Sequence, residues 1–571
     1  MTQSELDGVR FAGRSASGYE RSGDAERWGR GCGRRDASRR DRDDRGPQGE
    51  EARGRCGLTV FGRDIGLARV YMAAGILIIC LTAVIAVYFL NNPLRHSRPF
   101  LVRRFINWFP LGMTYAFMYM ARYNLNVAKN SLGTLMSNSD IGVIFGVGAF
   151  VYGISFLVNG PLVDRIGGKA GIIVGAIGTS VANVILGGLT YLLVTHRLHS
   201  NMVVSFSIVY AFNMYFQSYG AVSIIKVKAY WFHVRERGVF GAVFGTLISL
   251  GVYFAFDWGQ AIADMSKANP TGQIGWFHQL LQRAFALKGS AVDATWALFY
   301  VPAAIVFFWA LMDWWLIKDT PEEANYPAFD TCDASSGVMH IELTAWTLLK
   351  KVFGSRLMLT VAFIGLTVGV LRNGIMNWYS IFAAETKEPG TEFFTQHWGL
   401  LICVVGIVGG FAGGWMSDKC FRSRRGPPVV VFSSIMLVMS GVMAVCLFTW
   451  PRVVGWSAVV ISMAVIGVHS LMAGTAAPDF GGRKATATCS GITDGFVYVG
   501  SSVQSFGIGY LTTGAGHNWT WWPLFLMPFA LIGIILALTI WKELPAATRK
   551  YIAEVEDGAG EGRPAAAGPR E

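Results

Sequence analysis

The chain of 571 residues is 52% hydrophobic and only 15% charged, with a mean hydropathy of +0.40 and a formal net charge of +12. A soluble protein carries roughly a quarter charged residues, so a soluble globular fold is excluded, and the absence of period-2 alternation argues against an outer-membrane barrel. The positive charge does not point to nucleic acid, because arginine and lysine collect beside long apolar runs, where they orient membrane spans. The eight cysteines form no CxxC pair, so the sequence implies no metal site, cofactor or disulfide framework.

Residues 1–66 are dense in arginine, aspartate, glycine and serine and read as a disordered tail. Two origins stand for it: a native basic tail, or a reading frame opened too far upstream, with Met72 as the start. Residues 67–92 hold an extra hydrophobic span, 68–90, followed by Arg95, Arg98, Arg103 and Arg104. Twelve further runs, each near the ~20 residues a bilayer requires, fall at 105–128, 139–160, 170–194, 202–225, 238–262, 295–317, 357–383, 397–416, 428–449, 456–477, 487–512 and 520–541. The expected class is an all-α membrane protein with six spans in 100–317, a central loop at 318–355, six spans in 356–545 and a disordered tail at 546–571.

Alternate loops carry Arg165 and Lys169, Arg235 and Arg237, Lys350, Lys351 and Arg356, Arg422, Arg424 and Arg425, Arg483 and Lys484, and Arg549 and Lys550. The loops between them near 130–138, 384–396 and 513–519 are poor in both residues, so the basic set is expected on the cytoplasmic side, with the C-terminus. The extra span would then place an arginine-rich tail outside, a second reason to doubt residues 1–71 as a native segment.

The two halves echo each other. Gly160-Pro-Leu-Val-Asp164-Arg165 follows the second span and Gly414-Trp-Met-Ser-Asp418-Lys419 the eighth, about 254 residues apart; Arg122 and Arg372, in the first and seventh spans, are about 250 apart. Arg237 before the fifth span likewise matches Lys484 before the eleventh. Features recurring at nearly one offset indicate duplicated six-span halves. In each motif the glycine permits a tight turn and close helix approach. The aspartate accepts from a helix N-terminus or pairs with a basic residue of the neighbouring loop. That makes the two loops a conformational latch, against the plainer reading of a static turn with a solvated charge. Glycine runs at 406–414 and at Gly142, Gly146 and Gly148 read as packing devices.

An arginine inside a span costs a few kcal/mol and normally faces the bundle interior. Arg122 is followed by Asn124, Asn126 and Lys129, and Arg372 by Asn373 and Asn377, with no acid one turn from either arginine. Two guanidinium forks from equivalent helices suit one phosphate or carboxylate bidentately, whereas the plainer reading makes them structural arginines bonded to carbonyls or to acids. Tyr115 and Tyr119 share a helix face with Arg122 and either bond the anion or simply pack. Asp494, about ten residues into the eleventh span, either carries a proton or pairs with an arginine. His469 in the tenth span either lines the cavity, with a coupling role, or packs. Asp257, near the outer end of the fifth span, reads as solvated at the interface.

The segment Gly160 to Lys169 resembles the loop signature of the major facilitator superfamily. Gly414 to Gly426, Lys318-Asp-Thr-Pro-Glu-Glu323 and Leu371-Arg-Asn-Gly-Ile-Met-Asn-Trp378 resemble the organophosphate:phosphate antiporters within it, the group that includes glycerol-3-phosphate transporters. The resemblance spans about residues 100–545. It implies the major facilitator fold of twelve helices in two pseudo-symmetric halves. It further implies a phosphate clamped by Arg122 and Arg372, with Tyr115, Tyr119, Tyr152 and Tyr498 around it. Three cationic positions of that family depart here: two lysines are Tyr123 and Phe156, and a fifth-span histidine falls near Ile248 and Ser249.

The expected function is secondary active transport of an anion, an organophosphate such as glycerol-3-phosphate or a sugar phosphate exchanged for inorganic phosphate by alternating access. The expected setting is a bacterial inner membrane, with the bilayer and the anion as partners, no nucleic acid, and a monomer as the unit. Two rivals stand. One is a proton-coupled carboxylate symporter using Asp494, since Arg122-Tyr-Asn-Leu-Asn-Val-Ala128 also resembles the anion:cation symporters, although Ala121 stands where that family usually has an acid. The other is a non-transporting sugar-phosphate sensor of the same fold. No Walker motif or catalytic constellation suggests a pump or an enzyme.

Overall fold

The computed structural model describes residues 81–90, 94–233, 236–266, 294–327, 353–422, 424–472, 486–513 and 518–543, with the isolated residues 79, 92 and 350. Both expected tails, Lys484, and the side chains of Asp164, Asp418 and Arg237 lie outside that description.

Among the described residues, eight helices are long and apolar enough to cross a membrane. In chain order the helices are α1 (Leu81–Leu90), α2 (Arg98–Leu132), α3 (Asn138–Ile166), α4 (Gly168–Val194) and α5 (Met202–Trp231). They continue with α6 (Arg237–Tyr253), α7 (Gly259–Ser266), α8 (Ala297–Leu316), α9 (Arg356–Met376) and α10 (Trp378–Thr386). The last are α11 (Glu392–Trp415), α12 (Gly426–Cys446), α13 (Pro451–Leu471), α14 (Thr486–Leu511) and α15 (Trp521–Thr539). The eight apolar crossers do not include α2, α5, α6 or α14. Of these, α2, α5 and α14 carry the buried polar groups Arg122, Asn126, Asn213, Gln217, Ser501 and Gln504. Their hydropathy is diluted because they line the interior instead of facing lipid.

Each of the twelve expected spans meets a helix, with three differences. Helix α2 has 35 residues, about 52 Å at 1.5 Å per residue, so it projects well past the bilayer. The fifth span is α6 and α7 joined by a π-helical turn at Phe254–Trp258. The seventh breaks at Asn377 between α9 and α10, where the Asn377 carbonyl accepts from Asn126 Nδ2 (3.0 Å) and Ser380 Oγ (3.1 Å). Side chains inserted into the helix ladder are a recognised cause of such kinks.

Six pairings within the first half recur in the second, among them the first on the fourth (α2 on α5) as α9 on α13. First on fifth (α2 on α6) repeats as α9 on α14, first on sixth (α2 on α8) as α9 on α15, and second on fourth (α3 on α5) as α11 on α13. Third on fourth (α4 on α5) repeats as α12 on α13, and third on sixth (α4 on α8) as α12 on α15. The halves meet along α3 against α14 and α6 against α11.

One end of the bundle carries Arg165, Lys169, Lys228, Lys419 and Arg425; it is the basic end. There the chain is tied within the first half. Buried Arg104 forks onto Glu236 (2.9 and 3.0 Å) and donates from Nε to Tyr88 of α1 (3.0 Å), so α1 is docked by a charge-assisted network. Burial pulls the Glu236 carboxyl up, but Arg104 outweighs it and holds the group below the usual carboxylate range. Asp319 of the central loop accepts from Lys169 N (2.8 Å), capping α4. Burial raises the Asp319 carboxyl more than that bond lowers it.

The glycine readings need correction. Gly160 lies inside α3, and the turn comes later, at Gly167 with φ +90°. Gly414 is likewise helical, and a Cβ at either position would meet nothing within 4 Å. Neither glycine supplies a turn or a close approach here, because α3 and α11 run on past them at a splayed end. Gly142, by contrast, allows the closest crossing of the halves: a Cβ there would lie 2.6 Å from Ser505 O and 2.8 Å from Gly509 Cα. Gly413 does the same within the second half, against Gly467 O at 2.8 Å.

Candidate functional site

At the end opposite the basic loops the halves are bolted together. Lys129 Nζ on α2 meets Glu385 Oε1 on α10 at 3.0 Å, and Asn138 Nδ2 reaches the other carboxylate oxygen at 3.0 Å. Asn126 accepts from Ser380 Oγ at 2.6 Å as well as donating to Asn377 O. Asp257 accepts from Gly399 N (2.9 Å) and Leu400 N (3.1 Å). That overturns its reading as an interface-solvated acid. The π turn carries its carboxylate across to α11, which restarts after a kink at His397 (φ −125°, ψ 20°) and exposes N–H groups that need an acceptor. At the basic end, Gly160, Gly245, Gly410 and Gly414 face open space. The bundle is therefore closed at the far end and open at the basic one.

Arg122 lies between these ends and is 1% exposed. Its Nε donates to Gln217 Oε1 (2.6 Å), one terminal nitrogen to Tyr498 OH (2.9 Å) and the other to Tyr152 OH (3.0 Å). Its guanidinium carbon sits 4.4 Å from the Tyr152 ring centroid and 4.5 Å from that of Tyr119, within cation–π range. Tyr498 comes from the second half and the other three residues from the first, so the cage itself joins the halves. Tyr115 stands behind, its ring edge-on to Tyr119 at 5.2 Å. The structure thus brings Arg122, Tyr119, Tyr152 and Tyr498 together, with Tyr115 one layer further out.

Arg372 is placed differently. It lines a cavity of about 560 Å³ between the halves, together with Tyr119, Ile248, Gly406 and His469, and the cavity extends to Lys228, Gly414 and Ser470 near the basic end. Its Nε is buried with no hydrogen-bond partner. Asp494 pairs with neither arginine among the described residues. Its nearest ionisable neighbour within 4.0 Å is His469, with Nε2 to Oδ1 at 4.0 Å, and the His469 and Asp494 side chains are 25% and 29% exposed. The separation is too long for a hydrogen bond, and Asp494 Oδ1 and His469 Nδ1 have no partner. Of the loop motifs, Arg165 and Lys419 are exposed, and their aspartate partners lie outside the description.

Sequence reasoning passed over three contributors. Gln217 holds Arg122 yet is one polar residue among many in its span. Glu385 closes the far end from a loop that drew notice only for lacking lysine and arginine. Asp313 on α8 is a fully buried acid that accepts from Thr114 Oγ1 at 2.6 Å; its place in an apolar run was the available signal.

Residues 111–505 match the family model described as "Major Facilitator Superfamily". A relative from Chlamydia trachomatis serovar D named "Probable hexose phosphate transport protein" is 24% identical over 474 residues, covering 78% of this chain and 92% of that protein. The Bacillus subtilis "Glycerol-3-phosphate transporter" is 24% identical over 444 residues, with 75% and 90% covered. The Escherichia coli "Membrane sensor protein UhpC" is 23% identical over 450 residues, with 75% and 90% covered. Among solved structures, a bacterial homologue of the human lysosomal transporter Spinster, described as inward-facing and unoccupied, superposes with a TM-score of 0.58 at 13% identity over 80% of this chain and 99% of that one. With the family model matching well over half of its length, the chain belongs to the Major Facilitator Superfamily.

Proposed function

We propose that the chain exchanges an organophosphate for inorganic phosphate across the membrane by alternating access. One observation carries the reading. Two arginines stand at equivalent places in the first and seventh spans, Arg122 buried and Arg372 half-buried, neither paired with a carboxylate among the described residues, and Arg372 lines a cavity between the halves while its Nε has no hydrogen-bond partner. A guanidinium left uncompensated in a membrane is expensive, and a phosphate oxyanion is the ligand its fork matches best. The names of the relatives, hexose phosphate and glycerol-3-phosphate transport proteins, favour a phosphate ester.

With the basic end assigned to the cytoplasm by its charge, the described conformation is inward-facing. Arg372 meets the incoming anion first. Arg122 is held by Tyr152 and Tyr498 hydroxyls until the halves move, and the anion then takes over as its acceptor. Both arginines contacting one anion would neutralise the charge that opposes closure, so that movement of the loaded carrier is favoured over that of the unloaded one. The anion coupling Arg122 and Arg372 replaces the carboxylate that neither has.

The experiment is uptake of labelled inorganic phosphate into proteoliposomes preloaded with phosphate, with and without a pH gradient. Exchange that ignores the gradient and is competed by phosphate esters is the expected result, and the best competitor identifies the substrate. Exchange absent, with carboxylate uptake driven by protons and lost in Asp494→Asn, would replace this reading with symport. Phosphate-ester binding without flux would replace it with sensing, which the kinship to a named sensor protein makes a real second reading.

A further inference from the structure

We propose that His469 is a substrate-binding residue that donates a hydrogen bond, beside Arg372, to the oxyanion in the cavity, at the place Gln217 occupies beside Arg122. The inference rests on the transport reading and adds a contact to it.

The two halves of the bundle are pseudo-symmetric. Helices α2 and α5 pack together, and so do their counterparts α9 and α13. In the first half, Gln217 on α5 meets Nε of Arg122 on α2. The offset from Gln217 to His469 lies between the about 250 residues that relate the two arginines and the about 254 that relate the Gly160 and Gly414 motifs. His469 is therefore the α13 counterpart of Gln217, facing the α9 counterpart of Arg122. There the likeness stops: Nε of Arg372 and Nδ1 of His469 are both buried and both without a partner.

The other two groups around Arg122 show why. Carried across by the offset of the Gly160 and Gly414 motifs, Tyr152 of α3 becomes Gly406 of α11; Gly251 of α6 and Gly500 of α14 abut the equivalent carbonyls of Ala116 and Leu366, so Tyr498 of α14 becomes Ser249 of α6. Ser249, Gly406 and His469 all line the cavity that Arg372 lines. Two phenols that saturate Arg122 are thus replaced at Arg372 by a glycine and a much shorter serine, which leave room for the oxygens of a ligand. At the place of the Gln217 amide stands the imidazole of His469. Asp494 flanks its Nε2 from α14 at 4.0 Å, and Nδ1, enclosed and unpartnered, is a ring nitrogen still without an acceptor. A guanidinium fork and an imidazole N–H converging on a cavity make a donor set for a phosphate or phosphate monoester.

The test uses the full chain in proteoliposomes with inorganic phosphate as the probe. Phosphate self-exchange in His469→Ala should show a half-saturation concentration raised roughly ten-fold, the scale of one hydrogen bond to a charged group, with the maximal rate within about two-fold of the parent. Because Gln217 fills the equivalent place, His469→Gln should restore most of the lost affinity, which a purely packing role would not require. Half-saturation unchanged in the alanine variant, or glutamine as weak as alanine while the thermal midpoint of both matches the parent, overturns the proposal. Should the parent exchange no phosphate, the transport reading fails by itself. Calorimetric titration of the purified proteins with phosphate then decides: weaker binding in His469→Ala, rescued by glutamine, sustains the contact, and equal or undetectable binding in all three sinks it.

Discussion

The far-end bolt gives the sharpest prediction. Glu385→Gln keeps the shape of the side chain and removes its charge. In the described conformation that carboxylate accepts from Lys129 Nζ and Asn138 Nδ2, both at 3.0 Å and both from the opposite half. Lys129 is 3% exposed and Glu385 24%. At an effective dielectric of about 20 the bare attraction at that distance is roughly 5 kcal/mol. Desolvation cancels much of it, and a partly exposed pair of this kind retains about 1–3 kcal/mol. Since both partners separate when the far end opens, the whole difference falls on one side of the conformational equilibrium. The open-outward population should rise by a factor of about 5 to 150, at roughly 1.4 kcal/mol per ten-fold. Spin labels at Thr134 and Pro389, on a cysteine-depleted background, report the far-end separation across the halves. A growing long-distance component in Glu385→Gln is expected, against no change in Glu392→Gln, whose carboxylate only accepts from nearby Gly390 N at 2.8 Å within its own half. An unchanged distance distribution in Glu385→Gln, or an equal shift in the control, would refute the reasoning.

Other outcomes follow from the same geometry. Arg372→Lys should lower phosphate-exchange efficiency by at least ten-fold through loss of the planar fork, and Arg122→Lys should do likewise; full activity in both variants would remove the arginines from the site. Arg104→Ala leaves Glu236 buried without its partner and should cost about 3–5 kcal/mol, read as a lowered thermal midpoint in detergent. Because Glu236 is held below the usual carboxylate range, its contribution is present above that range and is lost only as pH falls through the lowered value. Glu236→Gln should therefore flatten the acid limb of the stability profile, and an unaltered limb would discount the pair. Asp257→Asn weakens the acceptor for two α11 amides and should cost about 1 kcal/mol, detected as faster hydrogen exchange at Gly399 and Leu400.

What the sequence disclosed and what it hid divide along physical lines. Helix placement was legible because hydropathy is local, and Arg122 and Arg372 stood out because a guanidinium in an apolar run needs a reason. Gln217 did not stand out, since an amide in a span is affordable without a ligand. Glu385 and Asp257 act on residues more than a hundred positions away, and no local pattern encodes such pairings. The break at Asn377 depends on Asn126 of another helix. The glycines were misjudged for a related reason: composition permits close approach but does not say on which face, or at which end, the approach occurs.

Those basic-end glycines have a consequence for how the sequence is constrained. Gly160, Gly245, Gly410 and Gly414 touch nothing here, while Gly142 and Gly509 are pressed together at the other end. On the alternating-access reading, the two groups trade duties each cycle. An alanine at Gly160, which is outside the cavity lining, would then meet nothing in the inward-facing protein and would act as a wedge in the outward-facing one. Tolerance measured in one resting state is thus a one-sided ledger, and a carrier arrested by such a wedge would fold, insert and bind from one side while moving nothing.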